Sequence, residues 1–267
     1  MFTRRRIADS TLYVPARNEA ATIGEVVSSL REAANSKNQR RTNIVVVDDR
    51  STDETATLAR AAGALVISTE TMCVDFGGSH GKGDAIWASL RHCETPLIGW
   101  VDGDLSMLSS DKLLNMFEVL RNEPSTQLVK AWFERVRGGS VVDRGRVTML
   151  TAIPLLDMLF PEVGRMSEPL SGMFAGRTDV LSALWLDCDY GVDIGVVLDI
   201  AINFGFDAIT ELYVGQLEHR NRSLTDLSET ARQVARAIIS RSQSDSLVAS
   251  SLDFRRFPPR DRTRVFA

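Results

Sequence analysis

The chain has 267 residues, 44% of them hydrophobic and 25% charged, which suits a globular protein with one sizeable core. Its 31 basic and 35 acidic side chains leave a net charge of -4, which argues against a nucleic-acid binder driven by bulk electrostatics. Cys73, Cys93 and Cys188 are far apart, lack metal-ligand spacing and cannot all pair, which points to a reducing, cytoplasmic setting.

The opening MFTRRRIADSTLYVPA has basic residues but no apolar core, so it does not read as a signal peptide. Thr11 to Val14 predicts a first strand, and Ile23, Val26, Val27 and Leu30 space a helix over Ala20 to Ala34. Asn43 to Val47 (NIVVV) is β-branched without polar alternation, the pattern of a central parallel strand. Ser51 or Thr52 is placed to cap a helix through Ala62, with Gly63 at its end and a third strand over Ala64 to Ile67. Thr69 to Ser79 reads as irregular. Gly81-Lys82-Gly83 then opens a helix to His92, and Leu97 to Val101 is an apolar strand ending in Asp102-Gly103-Asp104. A helix over Asp111 to Arg121 and a strand over Gln127 to Phe133 complete a doubly wound α/β half with its loops on one sheet edge.

The second half is less regular. Arg135 to Arg146 reads as a loop rich in Gly and Arg, and Val147 to Leu159 as a helix kinked at Pro154. Pro161 to Ser171 is turn-rich. Met173 to Ala175 and Ala208 to Val214 read as strands, with helices over Thr178 to Leu184, Gly191 to Phe204, and Ser223 or Asp226 to about Arg241. Residues 242–267 form a Ser- and Arg-rich tail, to lie over a partner subunit or to be mobile. The longest apolar stretch, Val192 to Ile202, falls short of the roughly 18 residues needed to span a bilayer.

Four loops carry the chemistry: Asn18 and Glu19 after the first strand, Asp48 and Asp49 after the second, Lys82 at a helix start, and Asp102 with Asp104 after the fourth. Ligands of open parallel sheets collect at the carboxyl ends of strands, a helix start attracts phosphate, and paired carboxylates hold a hard divalent cation. Taken singly, each residue is equally a turn or cap. Together they describe a nucleotide–diphosphate–metal site. The absence of G-x-G-x-x-G and of G-x-x-x-x-G-K-[ST] excludes a dinucleotide Rossmann site and a P-loop. Trp87, Trp100, His80, His92 and Asp199 read as structural.

PARNEAATIG, VVVDDRSTD, GKGDAIWASL and VDGDL resemble the nucleotide-sugar half of GT-A glycosyltransferases of the family-2 kind. LVKAWF, GRVT, PLSG, YGVDIG and EHRNRSLTDL resemble the glucosyl-3-phosphoglycerate synthases of retaining family 81. The resemblance implies a GT-A, Rossmann-like α/β fold: a mixed, mostly parallel sheet with helices on both faces. It divides the chain into a nucleotide-sugar half (1–133), an acceptor half (134–241) and the tail (242–267).

It also implies roles. Pro15, Ala16, Asn18, Glu19 and Asp49 would line a uridine pocket, and Lys82, Gly103 and Arg222 would meet the donor. Asp104 and His219 would bind Mg²⁺ or Mn²⁺, with Asp102 at the ribose or the metal. Gly145, Arg146, Thr148 and Asn221 would receive the phosphate and carboxylate of 3-phosphoglycerate, helped by Arg137 and Arg144 of the Gly-Arg loop. Asp193 stands where the family has a glutamate that contacts the sugar. The reaction implied is glucosyl transfer from UDP-glucose by a homodimer without a membrane anchor. GDP-mannose as donor, another acceptor, and a non-catalytic nucleotide-sugar module are the alternatives. The chain departs from the family at Asp193, Leu217 and Met173, where the family has Glu, Arg and Glu.

Overall fold

A computed structural model describes residues 8–35, 42–74, 81–103, 109–137, 139–142, 144–218, 224–242 and 256–260. Four strands, β1 (Ser10–Ala16), β2 (Thr42–Asp48), β3 (Leu65–Ser68) and β4 (Leu97–Trp100), run parallel in the order β3-β2-β1-β4. The sheet continues through β7 (Phe174–Arg177), antiparallel to β4, to β5 (Leu128–Arg137), antiparallel to β7. β9 (Ile209–Glu218) then joins β5 in parallel, giving eight strands with β6 (Ser140–Val142). The mixed, mostly parallel α/β sheet expected from the sequence is therefore present.

Alternation along each strand sorts the core to two faces. Leu12, Val14, Ile44, Val46 and Leu97 pack under α1 (Ile23–Asn35), α2 (Thr55–Ala61) and α5 (Ser110–Asn122). Tyr13, Val45, Val47, Ile98 and Trp100 face α4 (Lys82–His92), α6 (Ile153–Leu159), α9 (Val192–Phe204) and α10 (Leu224–Ile239). The spacing that predicted α1 buries Ile23, Val26, Val27 and Leu30, each contributing about 1.5–3 kcal/mol. Trp87 and Trp100 are core residues, and the Tyr13 hydroxyl meets His92 Nδ1 at 2.9 Å. His80 lies outside the described residues. Arg241 pairs with Asp199 through both oxygens, at 2.6 and 2.8 Å, so Asp199 is structural as read.

Several expectations change. Helix α2 starts at Thr55, so neither Ser51 nor Thr52 caps it: the Ser51 hydroxyl accepts from the Asn18 amide and the Thr52 hydroxyl donates to Asn18 Oδ1 instead. Thr69 to Met72 is a short helix, α3, capped by Ser68. The Gly-Arg loop is a β-hairpin: Arg135 pairs with Val142 and Arg137 with Ser140, and Gly139 turns the tip at φ +80°. Its Val136, Val141 and Val142 carry the strand signal that the glycines obscured. Pro154 does not simply kink a helix. A π turn over Thr148–Ala152 precedes α6, and the wider turn accommodates the missing proline N–H. The turn-rich stretch contains α7 (Pro161–Gly164), and α8 (Thr178–Leu181) is shorter than expected.

The described part of the tail folds onto its own chain. Strand β10 (Arg256–Phe257) pairs with β8 (Leu186–Asp187). Phe257 stacks on Trp87 of α4 at 4.8 Å, and Trp87 Nε1 donates to the Pro258 carbonyl at 3.1 Å. Phe257→Ala should lower the unfolding free energy by about 3 kcal/mol, read from urea denaturation. A loss under about 0.5 kcal/mol, the level of a surface change, would mean that 256–260 does not hold α4 in solution.

Candidate functional site

The chain leaves β1 for β2 on one side and returns to β4 on the other, so the sheet has its switch point between β1 and β4. The loops after β1, β2 and β4 emerge there and are bonded into one rim. The Asp49 amide donates to the Ala16 carbonyl at 2.9 Å. Asn18 Oδ1 accepts from the Thr52 amide at 2.8 Å, and the Glu19 amide donates to Thr55 Oγ1 at 2.8 Å. Thr22 Oγ1 donates to the Gly103 carbonyl at 3.0 Å, and a Cβ on Gly103 would stand 3.2 Å from the Pro15 carbonyl. Pro15, Ala16, Asn18, Glu19, Asp49 and Gly103 are thus brought together.

Asn18 and Arg50 both adopt φ +57°. Asn tolerates that region, whereas an arginine there stores strain that its surroundings must offset. Arg50 is held by ion pairs to Asp49 and, at 2.9 Å, to the fully buried Asp84 on α4. Burial raises the Asp49 carboxyl above its ordinary range, against the Thr69 hydroxyl at 2.8 Å and Arg50, which favour its charge.

Lys82 is the centre of the site. Its ammonium donates to Asp102 Oδ1 at 3.1 Å and to Asp193 Oδ2 at 3.0 Å. It is carried there by the first turn of α4, which Gly81 begins at φ +138° and which packs flush on the backbone of Asp187 and Cys188 at Gly83. Burial alone would lower the Lys82 ammonium, but the two carboxylates outweigh it and hold it above the usual lysine range. Asp193, on the first turn of α9, is raised by burial despite Lys82 and Lys130. Among the described residues its Oδ1 is buried with no hydrogen-bond partner, which costs about 1–3 kcal/mol until a donor meets it. Gly172 closes the site from the β7 side: a Cβ there would collide with Lys82 Nζ and stand 2.6 Å from Asp102 Oδ1.

Two buried charges were not singled out from the sequence. Lys130 on β5 is 1% exposed, donates to the Asp193 backbone carbonyl at 3.0 Å, and lies 4.9 Å from the Phe174 ring centroid. A lysine inside the apolar run LVKAWF was the available signal. Glu168 is also buried. Its Oε1 accepts from Thr148 Oγ1 at 2.8 Å and its Oε2 from Arg135 Nη2 at 3.4 Å.

Gly145 lies against this cluster, its would-be Cβ 3.3 Å from Arg135 Nη2 and 3.4 Å from Thr148 Oγ1. Arg135 is therefore committed to Glu168, while Arg144 and Arg146 are exposed. Asp104, His219, Asn221 and Arg222 lie outside the described residues. Among the described residues no three His, Cys, Asp or Glu side chains converge on a metal position. Asp102, 38% exposed beside Lys82, supplies an oxygen donor of the hard kind that Mg²⁺ and Mn²⁺ take.

The Lys82–Asp193 pair makes a prediction with a definite sign. Asp193 is raised in the folded chain, so its charge weighs against folding at neutral pH, and the penalty fades as pH falls through its folded value toward about 3.9. Lys82→Met enlarges that penalty. The variant should lose about 3 kcal/mol in urea unfolding at neutral pH, with the loss shrinking on acidification. A loss that stays constant with pH would contradict the pairing.

Residues 11–181 match the family model described as glycosyl transferase family 2. A glucosyl-3-phosphoglycerate synthase of Petrotoga mobilis is 32% identical over 235 residues, covering 86% of this chain and 72% of that protein. The same-named protein of Mycolicibacterium smegmatis is 34% identical over 86% of this chain and 77% of its own. A crystal structure of the Mycobacterium tuberculosis glucosyl-3-phosphoglycerate synthase with Mn²⁺, UDP-glucose and glycerol 3-phosphate superposes with a TM-score of 0.83 at 31% identity, covering 96% of this chain and 92% of that one. The chain belongs to the family that the glycosyl transferase family 2 model describes, together with its relatives the glucosyl-3-phosphoglycerate synthases.

Proposed function

We propose that the chain is a metal-dependent, retaining glucosyltransferase that moves glucose from UDP-glucose to the 2-hydroxyl of 3-phosphoglycerate. The observation that carries this reading is the buried Lys82 ammonium, paired to Asp102 and Asp193 at the switch point of the sheet. It places a fixed positive charge where a diphosphate would arrive, beside a carboxylate oxygen that lacks a donor among the described residues. Relatives named for this reaction, and a relative's structure with Mn²⁺ and UDP-glucose, support the same assignment.

In this reading residues 1–133 hold the nucleotide sugar and 134–241 the acceptor. Pro15, Ala16, Asn18, Glu19 and Asp49 form the uridine pocket, Gly103 and Asp102 lie at the ribose, and Lys82 with Arg222 meets the diphosphate. Asp104 and His219 hold the Mg²⁺ or Mn²⁺, which when bound neutralises charge on the leaving group. Gly145, Arg146 and Asn221 receive the acceptor's phosphate and carboxylate, beside the backbone of Thr148, whose hydroxyl is given to Glu168. Asp193 Oδ1 accepts a hydrogen bond from a sugar hydroxyl. Retention requires attack from the leaving-group face. The acceptor oxygen bonds to the anomeric carbon as the bond to the diphosphate breaks, and the acceptor proton passes to the departing diphosphate oxygen. No strong protein base is demanded.

The three buried, unpaired cysteines support a cytoplasmic location, and no helix among the described residues is long and apolar enough to cross a membrane. Assembly as a homodimer is part of the reading, supported by exposed Leu150 (76%) and Met158 (70%) around α6.

The pure protein with UDP-glucose and Mn²⁺ should release UDP only when 3-phosphoglycerate is added, and acceptor-independent release would sink the acceptor assignment. Asp104→Ala and His219→Ala should each abolish the metal dependence with the activity. Arg146→Ala should raise the KM for 3-phosphoglycerate about tenfold and leave the KM for UDP-glucose within about twofold; equal effects on both would remove Arg146 from the acceptor site.

A further inference from the structure

We infer that Lys130 is a positioning residue: it keeps Asp193 anionic and in place when Lys82 turns to the donor's diphosphate. The inference rests on the proposed reaction. Lys82 aims at two carboxylates at once, at 3.1 and 3.0 Å. A diphosphate brings further negative charge to the same ammonium, which must then share its three N–H groups. Asp193, 8% exposed, is left short of compensation at a place where water cannot supply it.

Among the described residues Lys130 is the other cation at Asp193. It approaches from β5 and grips the backbone carbonyl of Asp193, so two lysines on different elements hold the two ends of one residue. The Phe174 ring on β7 supports its ammonium from the side. The charges facing it are Asp193 from α9, Lys82 from α4, Asp102 beyond β4 and Glu168 from the segment before β7. With Lys82 and Lys130 both charged, the positive charges balance Asp102 and Asp193. When Lys82 shares its charge with a diphosphate, Lys130 is the cation among the described residues that still opposes protonation of Asp193. Burial pushes the Lys130 ammonium down to about 8, against the pull of Asp193, so its charge is present at neutral pH and fades just above it.

The test compares wild type, Lys130→Arg and Lys130→Met. It follows kcat and both KM values against pH, and the Asp193 carboxyl ¹³C signal, assigned with Asp193→Asn, with and without UDP. Arginine stays charged, so Lys130→Arg should keep the wild-type Asp193 midpoint in the UDP complex. Lys130→Met should lower kcat at neutral pH about tenfold with the KM for UDP-glucose within about threefold, and raise the Asp193 midpoint in the UDP complex by about one unit. A residue that merely anchors α9 to β5 would move stability, not these titrations.

The inference is overturned if Lys130→Arg shifts the Asp193 midpoint as far as Lys130→Met does, or if Lys130→Met leaves that midpoint unchanged with UDP bound. Should wild type show no 3-phosphoglycerate-dependent UDP release, the proposed reaction fails instead. The ¹³C titration needs only folded protein and UDP, and still decides the role of Lys130.

Discussion

An ammonium shared by two carboxylates is the constraint on which the site depends. Lys82 comes from α4, Asp102 from the end of β4 and Asp193 from α9, so three elements must be in register before the pairs close. Each group is expensive to bury alone and tolerable only with its partners. The surrounding residues are small where these side chains need room. Gly172 leaves no space for a Cβ beside Lys82 and Asp102, and Gly83 lets the first turn of α4 rest on the backbone of Asp187. Packing and electrostatics therefore specify the same arrangement, and neither would survive a shift of a single turn.

The rim of the site shows a different economy. The loops after β1 and β2 spend their polar groups on each other: Asn18 on Thr52, Glu19 on Thr55, Ala16 on Asp49. Such bonds fix loop geometry in the absence of ligand, so little ordering is left for binding. The strained φ of Arg50 belongs to the same scheme, held by Asp49 and Asp84. On the other side, Glu168 gathers Thr148 and Arg135 beneath Gly145 and joins the hairpin of β5 and β6 to the segment that ends at Gly172. The two halves of the site thus meet through Glu168–Gly172 and through Lys130, not through a hinge between separate domains.

Much of this was legible in the chain. NIVVV and LIGW announced buried parallel strands, and the acids and asparagine at their ends announced the ligand edge, because β-branched runs and turn residues act locally. What was missed depends on contacts far along the chain. Lys130 and Glu168 look like any surface charge until the fold buries them. Arg135 read as the start of a Gly-Arg loop, and the fold pairs it with Glu168. The glycines of 138–139 suggested a loop, while the flanking valines formed a hairpin.

The packing of residues 256–260 carries a consequence for how the molecule comes into being. The bond from Trp87 to Pro258 joins residues 171 positions apart, and it braces the helix that presents Lys82. During synthesis the parallel strands emerge early, with their crossover helices already beside them. Helix α4 then waits for residues 256–260 before one flank is covered. Closure of so long a loop is entropically late. Residues 81–103 are made early, yet the helix that carries Lys82 is braced only once residues 256–260 have followed.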